Sequence, residues 1–82
     1  MKLDGVARIR RETGGRGGKT VTTVTGLALD EPALVALLKR LKSTCGTGGT
    51  VREGGFELQG DHRDALLRLL AEEGIKGKLA GG

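Results

Sequence analysis

The chain has 82 residues and a formal net charge of +4, so we expect one domain, residues 1–82, with one hydrophobic core. No apolar run reaches the roughly 18 residues of a membrane span, and no signal peptide is recognisable. These features exclude a membrane protein and predict a cytoplasmic location. Cys45 is the only cysteine, which excludes an internal disulfide.

The positive charge is concentrated at the start of the chain. Residues 1–19 carry six basic and two acidic side chains, whereas residues 20–82 carry eight of each. A basic excess confined to one segment is typical of a site for a polyanion such as nucleic acid. The alternative is a solvated edge that is kept basic for solubility.

The first predicted element is a strand over residues 6–12. Its alternation places Ala7 and Ile9 on one face, and Arg8 and Arg10 on the other. We therefore expect a buried apolar face and an exposed basic face on the same strand.

A long basic loop is predicted to follow this strand and to return the chain into a second one. Residues 13–19 (TGGRGGK) contain four glycines, so we expect a flexible loop rather than regular structure. Residues 20–25 are rich in β-branched side chains, which favour a strand. Their imperfect alternation predicts either a bulge or burial on both faces.

The clearest predicted helix begins near residue 31. Asp30 or Glu31 can accept the free N–H groups of the first turn, where Pro32 is also tolerated. Apolar residues then recur at helical spacing, and Cys45-Gly46 ends the segment. The expected buried stripe consists of Leu34, Leu37, Leu38 and Leu41.

A second hairpin and a second helix complete the predicted fold. Residues 50–52 and 56–59 are predicted strands, with Phe56 and Leu58 facing inward, and Glu57 and Gln59 facing out. Asp61 is predicted to cap the second helix, with Asp64 three residues on. The stripe expected on that helix is Ala65, Leu66, Leu69 and Leu70.

The end of the chain predicts a helix stop and one more short strand. Gly74 is placed for a left-handed helix end, with Ile75 folding back on the helix. Residues 76–79 then suggest a short edge strand before a flexible tail, residues 80–82. The fold class is therefore α+β: an open two-layer α/β sandwich of order β-β-α-β-β-α, with or without a final β. We expect a mixed sheet of four or five strands, with both helices on one face.

The run from Gly14 to Thr20 is similar to a phosphate-binding P-loop but does not fit that motif. The motif requires a glycine at the position held by Thr13, and a helix beginning at the lysine. The residues after Lys19 instead predict a strand. What remains is a cationic loop with exposed N–H groups that can approach a phosphate backbone closely.

Cys45, His62 and Asp61 could suggest nucleophilic catalysis, but nothing in the sequence brings Cys45 near His62. A lone cysteine and a lone histidine also fall short of a zinc site. We therefore expect neither an enzyme nor a metal or cofactor site.

The terminal Gly81-Gly82 is typical of small ubiquitin-like sulfur carriers. A carrier, or another protein-interaction module using this terminus, is the alternative function. An ordinary frayed tail explains the same residues.

Taken together, the motifs resemble those of the Sui-type domain of eukaryotic and archaeal translation initiation factor 1, and particularly its bacterial YciH-like members. The glycine cluster that is followed by Gln-Gly-Asp-x-Arg is the most specific part of this resemblance, which covers about 77 of the 82 residues. The segments that carry it are residues 5–9, 18–19, 24–27, 41–42, 45–51, 57–63 and 78–82.

The resemblance implies an open α/β sandwich that binds small-subunit ribosomal RNA near the peptidyl-tRNA site. It implies an influence on the choice of start codon and initiator tRNA, with no cofactor and no covalent chemistry. The first hairpin loop, residues 14–19, corresponds to the ribosome-facing element of the family. Expected partners are this subunit, initiator tRNA, mRNA and other initiation factors, with no small-molecule substrate. We expect the protein to act as a monomer.

The sequence favours phosphate contact and shape recognition over stacking on bases, because the chain has no Trp or Tyr and only one Phe. We expect Arg16 at the loop tip and Lys19 at its base to contribute most. Lys42 is a weaker candidate, because its charge also suits a helix end. The other expected RNA-binding residues are Gly17, Gly18, Arg8, Arg10, Arg11 and Arg63.

Overall fold

The computed structural model describes residues 5–13 and 18–80. Within these residues the chain forms five strands and two helices in the order β-β-α-β-β-α-β. The helices are α1, Glu31–Cys45, and α2, Arg63–Glu72. The strands are β1, Ala7–Glu12; β2, Val21–Thr25; β3, Gly49–Arg52; β4, Gly55–Gln59; and β5, Gly77–Leu79.

The five strands form one mixed sheet in the spatial order β3-β4-β2-β1-β5. Every neighbouring pair is antiparallel except β1 and β5, which run parallel. The pairing of β1 with β2 is continuous from Arg8 opposite Thr25 to Glu12 opposite Val21. The first hairpin therefore contains no bulge in its paired part.

One face of the sheet packs against the two helices. Ile9, Val24 and Phe56 lie side by side across three strands, and each is at most 1% exposed. Leu37 of α1 and Leu66 of α2 belong to the same buried cluster. Because both helices use this face, the other face of the sheet has no covering layer among the described residues, and we call it the open face.

The two-sided burial that the sequence offered as one alternative occurs in β2. Val24 and Thr22 are fully buried on the helix side, while Val21 points to the open face and is 7% exposed. Glu57 also lies on the open face and is 9% exposed. Glu57 therefore faces out as predicted, and its low exposure comes from pairing with Arg52 against the sheet.

Helix α1 begins and ends as its sequence indicates. The carboxylate of Asp30 accepts a hydrogen bond from the Ala33 N–H at 3.0 Å, and Pro32 lies in the first turn, where its missing N–H has no cost. Gly46 ends the helix in the left-handed conformation. The predicted stripe is buried at Leu34, Leu37, Leu38 and Leu41.

Helix α2 differs from the prediction at its start. The residue before the helix is His62, and its side chain makes no capping hydrogen bond. Asp61 lies one position before the N-cap, and its carboxylate accepts two hydrogen bonds from the Arg63 guanidinium. Its Oδ1 also accepts from the backbone N–H of Arg63, the first residue of the helix, at 3.4 Å.

The end of α2 forms the predicted left-handed stop. Gly74 has φ +79°, and the Ile75 N–H donates to the Leu70 carbonyl at 2.8 Å while the Gly74 N–H donates to Ala71. This is a Schellman arrangement, in which Ile75 folds back onto the helix and packs against the core. It directs the chain into β5. Directly before β5, the Lys76 carbonyl accepts a hydrogen bond from the Ala7 N–H at the start of β1.

Neither helix in the described part of the chain is long and apolar enough to cross a membrane.

Candidate nucleic-acid interface

The segments with the most distinctive sequence meet at one end of the sandwich. β1 ends there at Glu12 and β2 begins at Val21, directly opposite the end of β4 at Gln59. The same edge also contains the end of α1, the start of β3 and the start of α2. β3 begins there because its first residue, Gly49, pairs with Leu58 near the end of β4. We call this region the loop end. It comprises residues 10–13, 18–22, 42–49 and 59–63.

The base of the first hairpin loop is attached to the turn that leads into α2. The Gly60 N–H donates to the Thr20 carbonyl at 2.8 Å. The hydroxyl of Thr22 donates to the Gly60 carbonyl at 2.6 Å and accepts from the His62 N–H at 2.9 Å. Since Thr22 is fully buried, these bonds fix the direction in which the chain leaves the loop.

The glycine-rich turn after α1 is attached to the same place. The Gln59 N–H donates to the Gly48 carbonyl at 2.9 Å, and the Thr47 hydroxyl donates to the Gln59 carbonyl at 2.9 Å. Glycine is required at position 49, because a Cβ there would lie 2.5 Å from the Glu57 carbonyl oxygen. Residues 46–49 thus allow β3 to approach β4 closely at the loop end.

Arg11 and Arg63 lie together on the helix side of the loop end. Arg11 is opposite Thr22, whose hydroxyl bonds both sides of the turn before Arg63. Arg63 donates to Asp61 from Nε at 2.9 Å and from Nη2 at 3.1 Å. These hydrogen bonds, with the charges of Arg63 and Arg11, lower the pKa of Asp61. Asp61 therefore stays ionised at neutral pH and offsets part of this positive charge.

The other basic residues expected on β1 lie on the open face. Arg10 is exposed and adjacent to Thr23. Arg8 lies opposite Thr25, away from the loop, and its Nη1 donates to the Val6 carbonyl at 3.2 Å. The structure thus brings Arg10 to the loop end and leaves Arg8 at the far end of the strand.

The remaining expected RNA-binding residues belong to the hairpin loop and α1. Gly18 and Lys19 are exposed at the loop base, whereas Arg16 and Gly17 lie outside the described residues. Lys42, in the last turn of α1, is partly buried, and its carbonyl accepts from the Thr47 N–H at 3.2 Å. Lys42 therefore belongs to the loop end on the β3 side of the sheet.

Cys45 and His62 are the side chains that could suggest catalysis. Burial raises the pKa of the Cys45 thiol, although the nearby Arg68 opposes the shift, so the thiolate is disfavoured. The His62 Nε2–H donates to the Gln59 carbonyl at 2.8 Å, which holds the imidazole against the turn. In the described residues no group of three or more His, Cys, Asp or Glu side chains is placed to hold a metal ion.

The sequence profile of one protein family, described as translation initiation factor SUI1, matches residues 4–76. The chain belongs to the SUI1 family. The matched segment includes all four strands and both helices that build the loop end. The diglycine at positions 81–82, on which the sulfur-carrier alternative rests, lies outside both this match and the described residues.

Curated relatives of this SUI1-family chain come from bacteria and archaea. It is 53% identical over 81 residues to the YciH protein of Escherichia coli K12, which covers 99% of this chain and 75% of that protein. It is 51% identical over 75 residues to the sll0546 protein of Synechocystis, covering 92% and 68%. It is 53% identical over 57 residues to the protein translation factor SUI1 homolog of Ignicoccus hospitalis, covering 70% and 55%.

Two residues of the loop end, Thr22 and Gln59, and the neighbouring Glu57 were not anticipated from the sequence as parts of a site. The SUI1-family segment Glu57–Arg63 carried the resemblance, but its contacts depend on pairing between β2 and β4. The signal that could have indicated Thr22 is a threonine at an inward position of a strand, since a buried hydroxyl requires partners.

Proposed function

We propose that this chain acts in translation initiation by binding ribosomal RNA of the small subunit near the peptidyl-tRNA site. There it influences which start codon and initiator tRNA are accepted. Membership of the SUI1 family is the observation that supports this proposal most strongly. The archaeal relative from Ignicoccus hospitalis carries the name of a translation factor homolog, which agrees with it.

The charge distribution supports RNA as the partner. The net positive charge of the chain comes from residues 1–19. β1 belongs to this segment and runs toward the loop end. The base of the hairpin loop carries basic side chains on both faces of the sheet. Arg10 lies on the open face, Arg11 lies with Arg63 on the helix side, and Lys19 lies at the loop base. Phosphate oxygens are the groups that such exposed arginines and lysines bind most often.

The mode of recognition that we propose is phosphate contact combined with shape. Phe56, the only aromatic residue of the chain, is 1% exposed in the core, so it offers no surface on which a base could stack. Arginine and backbone N–H groups at a glycine-rich loop instead suit structured RNA. The loop residues Arg16 and Gly17 belong to this proposal by their position between Thr13 and Gly18.

A small rigid body at a crowded site acts by steric and electrostatic competition. The loop base is attached through Thr20 and Thr22 to the turn at Gly60, so the position of Lys19 is fixed by the sheet. We propose that a correct codon–anticodon complex is tolerated beside it and that an incorrect one is displaced. Initiator tRNA, mRNA and other initiation factors are then its neighbours on the subunit.

The test is sedimentation with purified small subunits at two salt concentrations, with large subunits as the control. Binding to small subunits alone, weakened by salt, is expected because each phosphate contact releases a counterion. Equal binding to both subunits, or none to either, would contradict the proposal.

Variants then locate the interface. Arg16→Ala with Lys19→Ala should weaken binding and lower the slope of log affinity against log salt by about 1 to 2. The melting temperature should stay unchanged, because Lys19 is exposed. Lys39→Ala with Arg68→Ala removes the same charges from exposed positions on the two helices and is the matched control. An unaltered affinity of the loop variant would remove the loop from the mechanism.

A further inference from the structure

A cavity of about 400 Å³ lies at the end of the sandwich opposite the loop end. It opens between the first turn of α1 and the end of β3, because α1 begins and β3 ends at this side of the molecule. We call this cavity the far groove. The residues that form its walls include Leu29, Leu34 and Val51, together with Glu31 and Glu53.

Three apolar side chains form the floor of the far groove. Leu34 and Val51 pack into the hydrophobic core from α1 and β3, whereas Leu29 is 37% exposed. The two walls are held together, since the Leu27 N–H donates to the Gly54 carbonyl at 2.9 Å. The far groove is therefore preformed, and an apolar side chain that enters it would cover the exposed part of Leu29.

Carboxylates flank this apolar floor. Glu31 and Glu53 are exposed, and neither forms an ion pair with a residue that the structure describes. Asp30, beside Glu31, adds a third negative charge, whereas the N-terminus of α1 contributes only about half a positive charge. Arg52 also borders the groove, but its guanidinium donates to Glu57 on the open face at 2.9 Å. The far groove is therefore acidic, in contrast to the loop end.

We infer that the far groove binds a short basic segment of another protein. An apolar side chain of that segment enters between Leu29 and Val51, and lysine or arginine side chains on either side of it pair with Glu31 and Glu53. The inference goes beyond the proposed function, because the partner is a protein rather than RNA. Since the far groove and the loop end lie at opposite ends of the sandwich, both can be occupied at once.

The chemistry of the groove disfavours two other occupants. Nucleic acid does not suit it, because the carboxylates of the walls would repel phosphates. A second copy of this chain would have to insert its basic loop end, and such a head-to-tail contact would continue into a ring or an open filament. Three apolar side chains also offer far less surface than the roughly 1,200–2,000 Å² of a stable interface between folded proteins. A short segment fits this size better.

The experiment is a titration of the isotope-labelled full chain with three acetylated and amidated peptides, followed by amide chemical shifts. The peptides are Lys-Leu-Leu-Lys, Glu-Leu-Leu-Glu and Lys-Ser-Ser-Lys. The expected result is saturable shifts at Leu29, Val51 and Gly54 with the first peptide. The other two should bind about fivefold more weakly, because each lacks either the ion pairs or the apolar contact. No shifts at the groove with the first peptide, or an equal affinity for either of the others, would overturn the inference.

Variants test the charged contacts. Glu31→Gln with Glu53→Gln should weaken binding of Lys-Leu-Leu-Lys about fivefold and remove most of its advantage over Glu-Leu-Leu-Glu. Glu12→Gln with Glu72→Gln removes the same charge from exposed positions elsewhere and is the matched control. An equal loss of affinity in both double variants would show a general charge effect and would overturn the pairing with the groove.

The apolar contact is tested in the same way. Leu29→Ser should weaken binding of Lys-Leu-Leu-Lys about threefold. Val35→Ser changes another exposed apolar residue, on α1, and should leave the affinity unchanged. An affinity that is unaltered by Leu29→Ser would exclude the groove as the binding site. If Leu29→Ser did not fold, the comparison of the three peptides on the unaltered chain would still decide.

Two further readouts identify a different occupant. Shifts at Leu29 and Val51 that grow with protein concentration, in the absence of peptide, would show that a second copy fills the groove. Shifts at the same residues with single-stranded oligouridine would show that RNA fills it, and either result would overturn the inference. The outcome is independent of the proposed function, since Lys19→Ala should weaken binding to small subunits and leave peptide binding unchanged.

Discussion

The hydroxyl of Thr22 accepts a hydrogen bond from the His62 N–H at 2.9 Å, across 40 residues of sequence. The same hydroxyl donates to the Gly60 carbonyl at 2.6 Å. A strand that leaves the basic loop is thereby joined to the turn that begins α2. The two segments that meet at the loop end share one buried side chain.

Replacing Thr22 by valine should destabilise the fold by about 1–3 kcal/mol. The isosteric methyl group leaves the His62 N–H and the Gly60 carbonyl without their partner, and unmade hydrogen bonds of buried groups have a cost of this size. Urea unfolding measures the change. Thr22→Ser retains the hydroxyl and should recover most of the stability, so an equal loss in the serine variant would indicate lost methyl packing instead.

Acid should destabilise the protein partly through Glu73. Hydrogen bonds from Arg40 Nε and Nη2, at 3.0 and 2.9 Å, lower the pKa of Glu73. A carboxylate with a lowered pKa in the folded state stabilises the fold above its ordinary pKa. That stability is lost as the pH falls below about 4.5, the ordinary pKa of a glutamate, and then through the lower pKa of Glu73 in the folded protein. Asp61 contributes with the same sign.

Urea midpoints between pH 3 and pH 6 test this dependence. Glu73→Gln should flatten the acid part of the curve, because the ionised partner of Arg40 is gone. The neighbouring Glu72 makes no ion pair among the described residues, so Glu72→Gln provides the control. Equal flattening in both variants would show that overall charge, rather than the Arg40 contact, produces the effect.

Cys45 should react slowly with alkylating reagents. Its pKa is raised by burial, so little thiolate is present at neutral pH, and the thiolate is the reactive form. The rate of iodoacetamide modification under native conditions, compared with that of glutathione, measures this. A reaction faster than glutathione would indicate an activated thiol and favour a catalytic role for Cys45, whereas Cys45→Ser should show no reaction.

The fold could be predicted because local signals agreed with one another. The leucine stripe after Asp30, the stop at Gly74 and the basic alternation of β1 all matched the structure. Each depends on residues close in sequence, where periodicity and turn chemistry are informative. The two-layer sandwich with both helices on one face followed from these elements.

The loop end could be predicted only in part, because it depends on pairing between distant strands. Asp61 was expected to be the cap of α2, but it lies one position before the N-cap His62, and its shorter hydrogen bonds come from the Arg63 guanidinium. Glu57 faces out as expected, but its burial against the sheet beside Arg52 was not predicted. In both cases an arginine side chain determined the outcome, and side-chain pairing leaves no periodic signal in the sequence.

Deleting Gly81-Gly82 should leave small-subunit binding and the melting temperature unchanged. β5 ends at Leu79, opposite Ile9 and just before the loop end begins at Arg10, but residues 80–82 carry no charged side chain for a phosphate contact. A sulfur carrier would lose all activity with this deletion, since its diglycine is the reacting terminus. Replacing the pair by Ala-Ala keeps the length and is the control. A loss of subunit binding in both variants would place the tail in the interface.

Arg11 and Arg8 should differ in their effect on subunit binding, although they lie on the same strand. Arg11 lies at the loop end beside the turn of Asp61 and Arg63, whereas Arg8 lies opposite Thr25 at the far end. Arg11→Ala should therefore reduce the salt slope of binding by about 1, and Arg8→Ala should have a smaller effect.

Arg68→Ala is the control for these two substitutions, because it removes one guanidinium from an exposed position on α2. Affinity measured at several salt concentrations separates the three variants. A larger loss with Arg8→Ala than with Arg11→Ala would show that RNA lies along the open face of the sheet. The hairpin loop would then be the edge of the interface instead of its centre, because the two arginines lie at opposite ends of one strand.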